Sequence, residues 1–221
     1  MRAGNDAETP FTQRRALRQR LLARRLALPA AEWARLSAVL CTNLREAFPQ
    51  LGGQRVGFCW PVKNEPDLRP LLEAWLAAGQ AGFGALLPVV MAANAPLAFR
   101  AWTPQTPLLA DRYGIPSPAA GDLLAPEALL LPVNAFDAGG YRIGYGGGYF
   151  DRTLAAFRAQ GLPLLAIGVG FELARVDSIA PEPHDIPLDA MVTEAGVFSC
   201  PGSTRVTKSG DAQASLVRGK P

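Results

Sequence analysis

Residues 142–152 read RIGYGGGYFDR, four glycines set between two arginines with Asp151 near the end. Closely spaced glycines leave no Cβ between the backbone N–H groups and an incoming anion, so the chain can wrap a phosphate. A helix opening just after the run adds the partial positive charge of its N-terminus. Arg142 and Arg152 can add charge-assisted hydrogen bonds. Asp151 falls in the first turn of that helix, where a carboxylate is favoured and can also ligate Mg2+. The same run also reads as a flexible turn with a helix-capping aspartate. A Walker loop is excluded, because no Gly-Lys-Ser/Thr closes it. A dinucleotide fingerprint is matched only in part, and late in the chain.

Two other stretches carry chemistry-bearing residues. PEPHDIPLD (181–189) holds the only histidine, His184, beside Asp185, with Asp189 four residues on. Asp185 is a candidate second carboxylate for the same metal; no chemistry is expected of His184. The alternative is a Pro-rich turn with surface acids. WPVKNEPDLRP (60–70) is held out of regular structure by Pro61 and Pro66. Glu65 could read N–H donors on a ring substrate while Trp60 offers a stacking face. The plainer reading is a solvated Glu65 with Asp67 as a helix N-cap.

The elements that must position these residues follow from periodicity. Residues 12–28 project as a helix with Leu17, Leu21 and Leu28 on one stripe and Arg14, Arg18 and Arg25 on a stripe beside it. Further helices are expected at 31–48, at 67–78 with Gly79 as C-cap, and at 149–160. Apolar runs predict strands at 55–60, 83–90, 97–103, 129–133, 163–171 and 191–198. Alternating strands and helices imply an α/β layered fold with a largely parallel or mixed central sheet. The ligand site is then expected outside the carboxyl ends of the strands, where the glycine run, 60–70 and 181–189 all fall. With no internal repeat or long linker, one domain is expected over residues 12–200, between a mobile leader (1–11) and a mobile tail (201–221).

The composition of the 221 residues, 49% hydrophobic and 19% charged, is that of a globular chain. No apolar run approaches the ~20 residues of a membrane span, and the N-terminus lacks a secretory signal. Three cysteines without CxxC spacing argue against a disulfide framework or a zinc site. A cytoplasmic protein is expected. The net charge of +3 is local: seven arginines face Asp6 and Glu8 in residues 1–25, leaving 15 basic and 17 acidic residues elsewhere. Neither a nucleic-acid nor a membrane partner is expected from that asymmetry.

Taken together, RIGYGGGYFDRTL, HDIPLDAMVTEAGV, NEPDLRPLL and an N-terminal basic-x-x-Leu-Arg resemble the 5-formyltetrahydrofolate cyclo-ligase (5,10-methenyltetrahydrofolate synthetase) family. The resemblance implies a single three-layer α/β domain similar to the sugar-phosphate isomerase and CoA-transferase-like fold. It implies ATP- and Mg2+-dependent cyclisation of 5-formyltetrahydrofolate, releasing ADP and phosphate, with no side-chain nucleophile. ATP would be held by Arg14, Arg18, Arg142, Gly144, Tyr145, Gly146, Gly147, Gly148, Tyr149 and Phe150. The folate would meet Trp60, Glu65, Gly147, Gly148 and Tyr149, and Mg2+ would be held by Asp151 and Asp185. Arg14 stands where the family has lysine, and Phe150 where it often has tyrosine. The small-molecule folate is the expected partner, and a monomer the expected state. The alternative is a paralog that binds nucleotide with a different or lost folate activity.

Overall fold

Five apolar runs buried on both sides need helices on both sides, and the chain supplies them in alternation. The computed structural model describes residues 10–201. In chain order the elements are α1 (Pro10–Leu26), α2 (Ala30–Ala47), β1 (Arg55–Gly57), α3 (Arg69–Ala78), β2 (Gly84–Val89), β3 (Ala98–Trp102), β4 (Leu108–Ala110), β5 (Pro116–Pro118), β6 (Ala128–Pro132), β7 (Ala135–Phe136), β8 (Arg142–Ile143), α4 (Tyr149–Ala159), β9 (Leu165–Val169), β10 (Ala190–Thr193) and β11 (Gly196–Ser199). The central sheet has the order β11-β10-β9-β6-β1-β2-β3. The strands from β10 to β2 run parallel, and β11 and β3 close the two edges antiparallel.

Side-chain alternation along the strands divides the core into two layers. Val56, Leu87, Leu130, Ile167 and Val192 face Leu40 and Leu44 of α2 and Leu72 of α3. Leu86, Leu129, Leu131, Ala166 and Met191 face Leu154 of α4. The architecture is therefore helix, sheet, helix. The spacing of Leu36, Leu40 and Leu44 explains how α2 buries one stripe. A helix joins each parallel crossover only where such a stripe exists, after β1 (α3) and before β9 (α4).

Helix α1 lies outside both layers. Its Leu17 and Leu21 pack on Ala135 and Ile143 of the β7–β8 hairpin and on Ile179. The expected pairing of leucine and arginine stripes holds for Leu17, Leu21, Arg14, Arg18 and Arg25. Leu28 falls beyond the helix, which ends at Leu26. Pro10 and Phe11 are already helical, so the expected leader loses its last two residues; its remainder, and the tail beyond Pro201, lie outside the described residues.

The single strand expected at 191–198 is two. Gly196 at φ +145° lets the chain reverse, and Thr193 pairs with Gly196 across a two-residue turn. The small hairpins β4–β5 and β7–β8 were not expected, because strands of two or three residues carry no periodicity. No helix among the described residues is long and apolar enough to cross a membrane.

Candidate active site

The chain leaves β1 for β2 on one side and later returns to place β6 on the other. That reversal opens a crevice at the carboxyl ends of β1 and β6, where α/β sheets hold ligands. The segment after β1 carries Trp60 and Glu65. The segment after β6 carries the β7–β8 hairpin and the glycine run, so the strand directly before the glycines is β8.

Glu65 is presented by a tight turn. Lys63 (φ +51°) and Asn64 (φ +57°) are both left-handed, and the Glu65 N–H donates to the Val62 carbonyl at 3.0 Å. Two successive non-glycine residues in that region are strained and need outside support. Arg25 supplies it: Nε donates to the Lys63 carbonyl at 2.9 Å, and Asn64 Nδ2 donates to the Arg25 carbonyl at 3.4 Å. The Glu65 residue is only 3% exposed. Its Oε2 accepts from the Val62 N–H at 3.1 Å and its Oε1 from the Tyr145 hydroxyl at 2.9 Å. Burial raises its pKa above the ordinary value, against the opposing pull of Arg25, the Val62 N–H, the Tyr145 hydroxyl and Lys63.

Trp60 meets Trp102 edge-on at 6.4 Å, and the Arg69 guanidinium covers one of its faces at 4.6 Å. Only its other face remains for stacking. Asp67 is not the N-cap expected of it: Leu68 holds that position, and Asp67, one residue earlier, accepts from the Arg69 N–H at 3.1 Å and from its guanidinium.

The glycine run forms a loop over the start of α4. Gly146 (φ +93°) and Gly148 (φ +63°) require left-handed backbone. Gly148 precedes α4 with no side-chain cap, so the first N–H groups of that helix are not claimed by a capping side chain. Arg18 Nε donates to the Gly144 carbonyl at 2.7 Å, and its guanidinium lies 3.3 Å from where a Cβ on Gly146 would stand. A Cβ on Gly144 would meet nothing within 4 Å, whereas one on Gly147 would meet the Tyr149 ring at 2.9 Å. Arg152 donates to the Gly147 carbonyl and lies 5.1 Å over the Tyr149 ring.

Arg142, Asp151 and Asp185 close the site from below. Arg142 is 6% exposed; Nη1 donates to the Ile186 carbonyl at 2.7 Å and Nη2 to Asp151 Oδ1 at 2.9 Å. It braces the 181–189 segment against α4. Burial lowers its pKa, countered by Asp151 and Asp185. Asp151 Oδ1 also accepts from the Ile186 N–H at 3.2 Å. Asp185 accepts from Arg14 Nη1 at 2.5 Å and Nη2 at 3.2 Å, and from the Glu182 N–H at 2.7 Å. Burial alone would raise the Asp185 carboxyl; the Arg14 and Glu182 hydrogen bonds and the charges of Arg14 and His184 bring it below its ordinary value. His184 itself is exposed beside Glu182.

Among the described residues no group of three or more His, Cys, Asp or Glu could cage a metal. Two carboxylates at the head of an anion-accepting loop are the donor set Mg2+ uses when phosphates and water complete its shell. Asp151 and Asp185 fit that description, and an all-protein site is not on offer.

Two residues differ from their expected surroundings. The partly buried Phe150 side chain packs against the apolar layer that holds Leu154. The Tyr145 side chain turns to Glu65 while its backbone stays in the glycine loop. One residue was missed: the Tyr113 hydroxyl lies 2.7 Å from that of Tyr149, their rings edge-on at 6.0 Å. Tyr113 sits on the β4–β5 hairpin, which borders an open cavity of about 590 Å³ lined partly by Met91, Leu109 and Arg112. The signal available was the DRYG turn, where Asp111 Oδ1 accepts from the N–H groups of Tyr113 and Ile115.

The family model described as the 5-formyltetrahydrofolate cyclo-ligase family matches residues 10–194. The chain is 29% identical over 180 residues to the 5-formyltetrahydrofolate cyclo-ligase of Escherichia coli (strain K12), covering 79% of this chain and 97% of that protein. It is 34% identical over 155 residues to the enzyme of the same name from Mycolicibacterium smegmatis, covering 65% of this chain and 75% of that one. The NMR structure of Aquifex aeolicus 5,10-methenyltetrahydrofolate synthetase superposes with a TM-score of 0.72 at 28% identity, over 90% of this chain and 98% of that one. A synthetase from Mycoplasma pneumoniae shares the fold, with a TM-score of 0.64 at 22% identity, over 82% of this chain and 98% of its own. The match to the family model spans every strand of the central sheet except the edge strand β11, both helical layers and every residue of the crevice discussed above, and this chain belongs to the 5-formyltetrahydrofolate cyclo-ligase family, a family of ligases.

Proposed function

We propose that the protein closes 5-formyltetrahydrofolate to 5,10-methenyltetrahydrofolate at the expense of ATP, releasing ADP and phosphate. The formyl oxygen attacks the γ-phosphorus and the β,γ bridge breaks. N10 then attacks the activated formyl carbon and gives up its proton to solvent, and phosphate leaves with the former formyl oxygen. Such a reaction needs positioning and charge neutralisation more than a protein nucleophile.

The residues divide accordingly. Backbone N–H groups of the glycine loop and of the α4 N-terminus face the phosphates, with Arg18 beneath them and Arg14 beside them. Glu65 accepts N–H donors of the pterin ring, and the free face of Trp60 and the ring of Tyr149 bound the folate. Mg2+ entering with ATP would be held by Asp151 and Asp185 and would neutralise phosphate charge. Residues 12–200 form one catalytic unit in this reading, acting as a monomer in the cytoplasm.

The observation that carries the reading is the 2.9 Å bond between the Tyr145 hydroxyl and Glu65. A loop suited to phosphate and a buried acid suited to a ring N–H are one hydrogen bond apart, as a phosphoryl transfer between ATP and a folate requires. The test is a mixture of protein, 5-formyltetrahydrofolate, ATP and Mg2+. Methenyl-folate absorbance and ADP should rise together. ADP without the methenyl product would favour the paralog; neither would overturn the reading.

A further inference from the structure

Arg25 has no part in the reaction as described, and the Tyr145 hydroxyl enters it only as the link to Glu65, yet Arg25 is 4% exposed and each of its guanidinium nitrogens is engaged. Besides the Lys63 carbonyl, its Nη1 donates to the Val133 carbonyl at 3.2 Å and its Nη2 to the Tyr145 hydroxyl at 2.8 Å. Nη2 also lies 3.9 Å from Glu65 Oε1. One side chain thus ties together α1, the strained turn that presents Glu65, the end of β6 and the glycine loop.

Tyr145 is the glycine loop's end of this connection. Its ring lies 5.1 Å from Lys63 Nζ, and its hydroxyl accepts from Arg25 while donating to Glu65. Its neighbours Gly144 and Gly146 both touch Arg18. Arg18 and Arg25 are seven residues apart on α1, two turns along the same face. Whatever sets the loop against Arg18 therefore also sets the Tyr145 hydroxyl against Glu65.

We infer that Tyr145, anchored by Arg25, is a positioning residue that couples the two substrate sites, so that nucleotide and reduced folate each bind more tightly in the presence of the other. Phosphate drawn into the loop fixes Tyr145 on Glu65, and a pterin held by Glu65 fixes the loop. The coupling must be reciprocal, the same factor whichever ligand is added first. The inference rests on the proposed function, since it takes ATP for the loop and folate for Glu65.

The test measures dissociation constants for 5-formyltetrahydrofolate by calorimetry, with and without Mg2+ and a non-hydrolysable ATP analogue. In the wild type the analogue should tighten folate binding at least ~5-fold, and folate should tighten the analogue equally. In Tyr145→Phe, which keeps the ring under Lys63 and removes only the hydroxyl, each ligand still binds but the ratio falls to within about twofold of one. Arg25→Lys, a second variant that keeps the charge but not the fork, should do the same. A wild-type ratio of one, or a ratio unchanged in both variants, overturns the coupling and leaves the proposed function intact. Wild-type protein that binds neither ligand overturns both.

Discussion

Arg14, on the first helix, and Asp185, 171 residues later, form a two-pronged ion pair with side chains 13% and 6% exposed. It ties α1 to the loop before β10. The same two residues are those the family resemblance assigns to phosphate and to Mg2+. Each therefore keeps the other's charge compensated and in place beside the glycine loop.

Asp185→Asn should cost about 1–3 kcal/mol of unfolding free energy near neutral pH, the worth of charge-assisted hydrogen bonds. The loss should be pH-dependent. The folded carboxyl titrates below its ordinary 3.8, so its contribution is present above that value and lost as pH falls through the folded one. Urea midpoints for wild type and variant should therefore differ at pH 7 and converge below about pH 3.8. A gap that keeps its full size well below pH 3.8 would remove the ion pair as its source.

The pH dependence of turnover should report Glu65. Burial raises its pKa above 4.5, so the acid limb of kcat/KM for folate should fall above the ordinary carboxylate range, with the ionised form active. Glu65→Gln should lower kcat/KM about 10- to 100-fold through the lost charged acceptor, and flatten that limb. A limb that persists in the variant would assign the titration to another group.

Gly146→Ala should act on ATP directly and on folate only more weakly, through Tyr145. A methyl there must adopt φ +93° and stands 3.3 Å from the Arg18 guanidinium. Strain of about 1–3 kcal/mol corresponds to a KM for ATP raised some 5- to 100-fold. Steady-state kinetics with each substrate varied in turn separates the two. Equal KM values for ATP in both proteins would take the loop away from the phosphates.

Asp151→Asn distinguishes two roles for one carboxylate. As a metal ligand it should shift the Mg2+ titration at saturating ATP to much higher concentration. As a brace for the buried Arg142 it should only lower stability, by about 3–5 kcal/mol for a broken buried pair. An unchanged Mg2+ titration with a lowered melting temperature would leave Asp151 a structural residue.

What the sequence by itself determined was local. Glycine spacing, the helix that opens after the glycines, the helical pattern of α2 and the paired stripes of α1 are properties of neighbouring residues, and they were legible in order and type. The strand ends were not, because pairing partners rather than propensity decide them; β1 keeps three residues of the six expected. The hairpin at 190–199 needed the edge of a sheet to form against. The site was half legible. RIGYGGGYFDR reads as a loop open to an anion, but nothing in it says that Tyr145 reaches Glu65, 80 residues earlier. Nor does α1 announce that Arg25 will be buried while Arg24 stays exposed. Those facts follow from strand order. The placement of β6 beside β1 brings two distant loops to one crevice, and only there can charges far apart in sequence become each other's partners.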